Sequence, residues 1–144
     1  MPEPERILVP VDDSEPAREA LRYAAALFPD AEFVALAVVD ASSVPFIPNA
    51  ADDPDASPEL QESLGEADDH LDVADRIASE DGIALETQTR VGSPAQEIVD
   101  CAEDGEFDHV VIGSHGRSGV SRIVLGSVAE VVVRHSPVPV TVVR

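Results

Sequence analysis

Glycine and serine residues crowd one stretch of the chain in a pattern that suits an anion. From Gly113 to Ser127 the sequence runs Gly-Ser-His-Gly-Arg-Ser-Gly-Val-Ser-Arg-Ile-Val-Leu-Gly-Ser, which is G-x2-G-x9-G-S. An apolar run, Val110-Val111-Ile112, leads into it, and helical spacing follows from Ser127 to Arg134. Glycines after a strand let the backbone approach a ligand closely, and the amides they bare, beside a helix N-terminus, suit a phosphate. A P-loop is excluded, because it requires a lysine and this chain contains none. The adjacent Ser114 and His115 invite a nucleophile reading, but neighbours in sequence do not build a triad and no G-x-S-x-G elbow is present. Polar loop residues near a ligand are the better reading.

For such a loop to meet a ligand, strands must end beside it. Ile7-Leu-Val-Pro-Val11 is a continuous apolar run broken by Asp12-Asp13-Ser14. Ser14 is an N-cap candidate, and Pro16 fits a first helical turn. Ala17, Ala20, Leu21, Ala24, Ala25 and Phe28 then share one helical face. Phe33 to Val39 reads as a strand buried on both faces. From Ala41 to Pro58 the pattern dissolves into prolines and an Asp/Ala/Ser mixture, a long connection that is either a flexible loop or a lid. Nothing in it has the character of a ligand group, which favours the loop. Helical spacing returns at Leu60, Leu64, Ala67, Leu71, Ala74 and Ile77, and Gly82 stops it.

Ile83, Leu85, Thr87, Thr89 and Val91 alternate with Glu86, Gln88 and Arg90, as in a half-exposed strand at a sheet edge. Gly92-Ser93-Pro94 turns the chain, and Ser93 with Gln96 forms a capping box for a helix carrying Ile98, Val99 and Ala102. His109 to Ile112 is the next central strand, and Val138 to Val143 the last. Pro139 cannot donate to a ladder, so that last strand is an edge or turns its Pro139 position away from a neighbour. This order implies a single α/β domain with a mainly parallel sheet and helices on both faces. Ligands of such sheets sit beyond the carboxyl ends of the strands, where the strand order switches. Asp12 follows the first strand and Gly113 the fourth, so both converge on one crevice if those strands are neighbours.

Length and composition bound the function. The 144 residues, 44% of them hydrophobic, are enough for one sizeable core. The single cysteine, Cys101, allows no internal disulfide and no cysteine-built metal site. No run approaches a membrane span, and the acidic start enters a strand directly, so a cytoplasmic protein without a signal peptide is expected. Nine basic residues, all arginine, face 29 acidic ones for a net charge of -20. Such a surface repels nucleic acids and anionic membranes. In molar salt the Debye length falls to about 3 Å and the self-repulsion is largely screened. A lysine-free acidic surface on an ordinary core therefore points to a salt-saturated cytoplasm, against the plainer reading of a merely acidic mesophilic protein.

Taken together these residues resemble the universal stress protein family, of its adenine-nucleotide-binding kind, over nearly the whole chain. Ile7-Leu-Val-Pro-Val-Asp12-x-Ser14 is similar to the family's opening strand and aspartate, Val38-Val39-Asp40 to the end of its second strand, and Val91-Gly92-Ser93-Pro94 to the turn after its third. Gly113-x2-Gly116-x9-Gly126-Ser127 resembles its ATP motif, and Pro137 to Val143 its closing strand. The absence of lysine points to a haloarchaeal member.

The resemblance implies an open five-stranded sheet in the order 3-2-1-4-5, and dimerisation through the last strand, Val138 to Val143. It implies ATP as ligand, with Mg²⁺ or Mn²⁺ offsetting the triphosphate charge. Asp12, flanked by Pro10 and Val11, belongs at the adenosine end, where Val38 meets the base through its backbone. Ile112, Gly113 and Gly116 approach ribose and phosphates, and Gly126, Ser127 and Val128 complete the phosphate site. Arg117 or Arg122 could add a charge-assisted contact to the γ-phosphate, against the plainer reading of exposed arginines.

The other reactive side chains have bland readings. His109 begins a strand and His135 ends a helix, both structural positions. His70 stands among Asp68, Asp69 and Asp72, a solvated acidic face rather than a metal cluster. Cys101 reads as a small, partly buried hydrophobe. Three functions stay open: a regulatory nucleotide-binding module, a slow ATPase, and an interaction module with a vestigial site. No positioned general base or arginine finger is evident, which favours binding without meaningful turnover.

Overall fold

The computed structural model describes residues 6–12, 15–40, 58–114 and 126–143. In chain order they form β1 (Arg6–Pro10), α1 (Glu15–Leu27), β2 (Glu32–Asp40), α2 (Pro58–Glu80), β3 (Leu85–Gly92), α3 (Pro94–Asp104), β4 (His109–Gly113), α4 (Ser127–His135) and β5 (Val140–Val143). The strands make one parallel sheet in the order β3-β2-β1-β4-β5.

Successive side chains of a strand point to opposite faces, and that alternation sorts the core into two halves. Ile7, Val9, Phe33, Ala35, Ala37, Val39 and Val111 meet α1 and α2 on one face. Leu8, Val34, Leu36, Val110 and Ile112 meet α3 and α4 on the other. Strands buried this way must be apolar at every position, hence the unbroken runs in β1 and β2. The predicted stripe of α1 is buried through Ala17, Ala20, Leu21 and Ala24, with Phe28 half-buried behind it. Strand β3 lies at an edge and is half-exposed, as its alternation requires. At the opposite edge β5 starts only at Val140, two residues later than the sequence indicates. Pro139 stands just outside the strand and contributes its carbonyl to Val110 N–H at 3.0 Å.

The helix ends depart from expectation in instructive ways. Pro58 is the first residue of α2 rather than the end of a loop. The rest of that connection, 41–57, and the Ser14 cap lie outside the described residues. Gly82, at φ 69°, closes α2 with paired bonds from its own N–H to Ser79 and from Ile83 N–H to Ala78. The expected capping box on α3 does not form: Ser93 makes no side-chain cap bond, and Gln96 Nε2 donates to Asp100 Oδ1 at 2.8 Å instead. Competition from a carboxylate one turn along the exposed face removes the box.

At the other end of α3 the left-handed position falls on Glu106 (φ 55°), although Gly105 precedes it. Gly105 is needed where it is, since a Cβ there would run into the Phe107 ring and come within 2.9 Å of the Cys101 carbonyl. The Phe107 ring is in turn covered by the Arg6 guanidinium, 4.7 Å from its centroid, while Arg6 Nε donates to the Gly105 carbonyl at 3.1 Å. This cluster fastens the foot of β1 to the α3–β4 turn. The Arg6 approaches to Glu32 and Glu86, at 3.7 and 3.9 Å, involve exposed carboxylates and add little.

His109 is structural. Its Nε2 lies 2.7 Å from Thr141 Oγ1 and its ring packs on Phe28 at 5.2 Å. Burial holds its pKa below the ordinary imidazole value of 6.5. Cys101 is 1% exposed, more buried than expected; its Sγ donates to Gln88 Oε1 at 3.6 Å, and burial raises its pKa.

Two outcomes follow for stability. Glu106→Gly releases the strained left-handed residue and should raise the unfolding free energy by about 1 kcal/mol, whereas Gly105→Ala should lower it by about 1–3 kcal/mol through overpacking. Urea unfolding of both variants checks the pair. The unfolded chain protonates His109 before the folded one does, so stability declines as pH drops below 6.5. Urea midpoints measured across that range should show a smaller decline in His109→Gln.

Candidate functional site

The site begins with a missing donor. Val11 N–H donates to the Leu36 carbonyl of β2 at 2.8 Å. Backbone amides alternate sides along a strand, so the Pro10 nitrogen faces β4, where it has no hydrogen to give. The β1–β4 ladder pairs Ile7 with His109 and Leu8 with Val110 and goes no further, while β1 stays paired with β2 through Pro10↔Leu36. Above Leu8 the paired ladder between the two central strands stops. The strand order also switches here, with α1 and α2 on one face and α3 and α4 on the other.

A cavity of about 530 Å³ opens at this point, in the size range of small-molecule sites. Pro10, Val11 and Asp12 line it from the end of β1 and just beyond, Val38, Val39 and Asp40 from β2, and Ile112, Gly113 and Ser114 from the end of β4 and just beyond. Gly126, Ser127, Val128 and Ala129 close it on the α4 side. Its charge is unevenly spread. The lining carboxylates among the described residues, Asp12, Asp40 and Glu66, belong to the turn after β1, to β2 and to α2. Among the described residues the β4–α4 end presents only glycines, serines and apolar residues.

That uncharged end is rich in donors. Gly126 is the N-cap of α4 and, among the described residues, no side chain caps the helix. The first intrahelical bond runs from Glu130 N–H to the Gly126 carbonyl at 2.9 Å, so the amides of Ser127, Val128 and Ala129 precede the helical ladder. These same residues line the cavity, and the positive end of the α4 dipole points there. Ser114, 2% exposed, holds the region together. Its N–H donates to the Val143 carbonyl at 2.8 Å, and its carbonyl accepts from Gly126 N–H at 2.6 Å.

Nine of the residues singled out from sequence thus share one cavity: Pro10, Val11, Asp12, Val38, Ile112, Gly113, Gly126, Ser127 and Val128. Gly116, Arg117 and Arg122 lie outside the described residues, as does His115. The reading of His70 as part of a solvated face needs correction. It is half-buried and lines the cavity with Ser63, Glu66 and Ala67 of α2. Its acidic neighbours in sequence misled, whereas the spacing 63, 66, 67, 70 marks one helical face and could have been noticed. Among the described residues no group of three or more His, Cys, Asp or Glu side chains could hold a metal ion, and no helix is long and apolar enough to cross a membrane.

Comparison with known proteins agrees with this geometry. The model of the universal stress protein family matches residues 4–144. Universal stress protein MJ0531 of Methanocaldococcus jannaschii is 38% identical over 143 residues, covering 96% of this chain and 81% of the relative. Universal stress protein UspA from Lactobacillus plantarum superposes with a TM-score of 0.78 at 32% identity, covering 97% of each chain. The universal stress protein from Archaeoglobus fulgidus, solved in complex with dAMP, has a TM-score of 0.69 at 25% identity and covers 97% of this chain and 98% of that one. With a family match over almost its full length and the same sheet order, this chain belongs to the universal stress protein family.

Proposed function

We propose that the cavity binds ATP and that the chain is a regulatory module whose state follows nucleotide occupancy, without meaningful turnover. The observation that carries this reading is the uncapped N-terminus of α4, opening at the uncharged end of a cavity whose other end is acidic. Phosphates suit the Gly113, Gly126, Ser127 and Val128 end, where amides hold them without lysine. Asp12 repels phosphate and accepts from ribose hydroxyls, and Val38 meets the base. Gly116 and Arg117 extend the phosphate end in sequence. The dAMP bound by the Archaeoglobus fulgidus relative supports an adenine nucleotide as ligand.

Mg²⁺ or Mn²⁺ accompanies ATP on its phosphate oxygens and waters, in keeping with the lack of a protein cage among the described residues. The chain acts as a homodimer through β5, an edge strand whose four residues are half-exposed and apolar but for Thr141. A salt-rich archaeal cytoplasm suits the net charge of -20, which also keeps nucleic acids and membranes away.

Calorimetric titration of ATP in molar KCl with Mg²⁺ tests the reading against Ser127→Asp. A carboxylate at this position favours the α4 dipole by about 0.3–1 kcal/mol, so the fold is kept or strengthened. The same charge repels phosphate and should weaken ATP binding about tenfold or more. Unchanged affinity in the variant overturns the phosphate assignment, and conversion of bound ATP to ADP within hours makes the protein an ATPase.

A further inference from the structure

Strand β3 has β2 on one side and, among the described residues, no strand on the other. Phe33 N–H donates to the Ala84 carbonyl at 3.4 Å, which turns Ala84 and, at every second residue along the strand, Glu86, Gln88 and Arg90 toward β2. The N–H and C=O groups of Leu85, Thr87, Thr89 and Val91 therefore point outward from the sheet. Exposed edges are ordinarily blunted by shortness, proline or a bulge. This one is eight residues long, has no proline, and keeps an unbroken register from Phe33↔Leu85 to Asp40↔Gly92. Leu85 packs on the α1–α2 side of the sheet, so the side chains of Thr87, Thr89 and Val91 share that face, and all three are exposed there. Helix α2 runs beside this edge without covering it. Between them lies a hollow of about 350 Å³ bordered by Asp68, Leu71, Asp72, Asp75, Leu85 and Thr87. Its three carboxylates are exposed and, among the described residues, none makes a hydrogen bond or ion pair.

We propose that the groove between α2 and β3 docks an extended basic segment of another protein, which adds a strand beside β3 and turns alternate arginine or lysine side chains onto Asp68, Asp72 and Asp75. The groove shares no lining residue with the nucleotide cavity and does not depend on it. In strand addition the main chain supplies affinity and alternate side chains choose the partner. The spacing suits that division. Along α2 the three carboxylates stand about 6 Å and about 4.5 Å apart, close to the step of roughly 6.6 Å between alternate residues of an extended chain. The outward amides and carbonyls accept any strand, and the carboxylate row decides which one stays. A second copy would bring an identical row and a net charge of -20, so like charges oppose self-pairing. A cation seated in the hollow is partly shielded from solvent and keeps its attraction in salt that screens the rest of the surface.

Fluorescence anisotropy in molar KCl tests this with two labelled peptides as long as β3. One alternates arginine with threonine, and the other holds the same residues in two blocks. Both carry the same charge, so general attraction to an acidic protein cannot separate them. Wild type should bind the alternating peptide about tenfold or more tightly than the block isomer. Thr89→Pro removes an outward N–H and no bond to β2, so the fold is kept and the alternating peptide should lose about tenfold in affinity. Asp72→Asn combined with Asp75→Asn changes only exposed side chains of equal size. It should weaken the alternating peptide several-fold and leave the block isomer unchanged. Equal binding of the two peptides by wild type overturns the proposal, as does unchanged affinity in folded Thr89→Pro or an unchanged preference in the double Asn variant. Dimerisation of the protein that Thr89→Pro abolishes gives the edge to a second copy and overturns it as well.

Discussion

Strands β1, β2 and β4 carry apolar side chains on both faces, and no part of this molecule can be understood without the demand that both faces be covered. Two helices have to lie on each side. A chain that lays α1 and α2 on one face and then α3 and α4 on the other must reverse the direction in which its sheet grows. The reversal falls between β1 and β4, where the connections lead away on both sides. The hollow is therefore a by-product of burying the core. Pro10 widens it by withholding the one amide that would have continued the β1–β4 ladder.

Within the hollow the chain separates charge by element. Carboxylates arrive on β2, α2 and the turn after β1, and bare amides on α4. For a protein with 29 acidic residues and no lysine this division is a practical necessity. A phosphate site built on side-chain cations would stand in a strongly negative field and draw on few arginines. Backbone amides and a helix dipole do not depend on composition, so the surface can become more acidic while the amide-lined end stays the same.

Much of this was legible in the sequence because it rests on period-two and helical patterns. The unbroken runs of β1 and β2 and the alternation of β3 each follow from how many faces are buried. Of the glycine motif, Gly113 and Gly126 line the cavity, and Gly116 lies outside the described residues. What escaped depended on tertiary neighbours. The Ser93–Gln96 box lost to Asp100, a carboxylate whose availability no local pattern reveals. Gly105 is held to glycine by the Phe107 ring and the Cys101 carbonyl, neighbours that no local pattern reveals. His70 was judged by its neighbours along the chain, when the cavity depends on its neighbours around the helix.

The Ser114 clamp has a consequence for how such a site can change. One hydrogen bond joins Ser114, where the chain leaves the sheet, to Gly126, the N-cap of α4. The opening amides of α4 are thereby held at a set distance from the end of β4. Both partners in that bond are backbone groups, so side-chain substitution at either position leaves the donor and the acceptor in place. The register between helix and sheet is thus written in the main chain, beyond the direct reach of most point mutations.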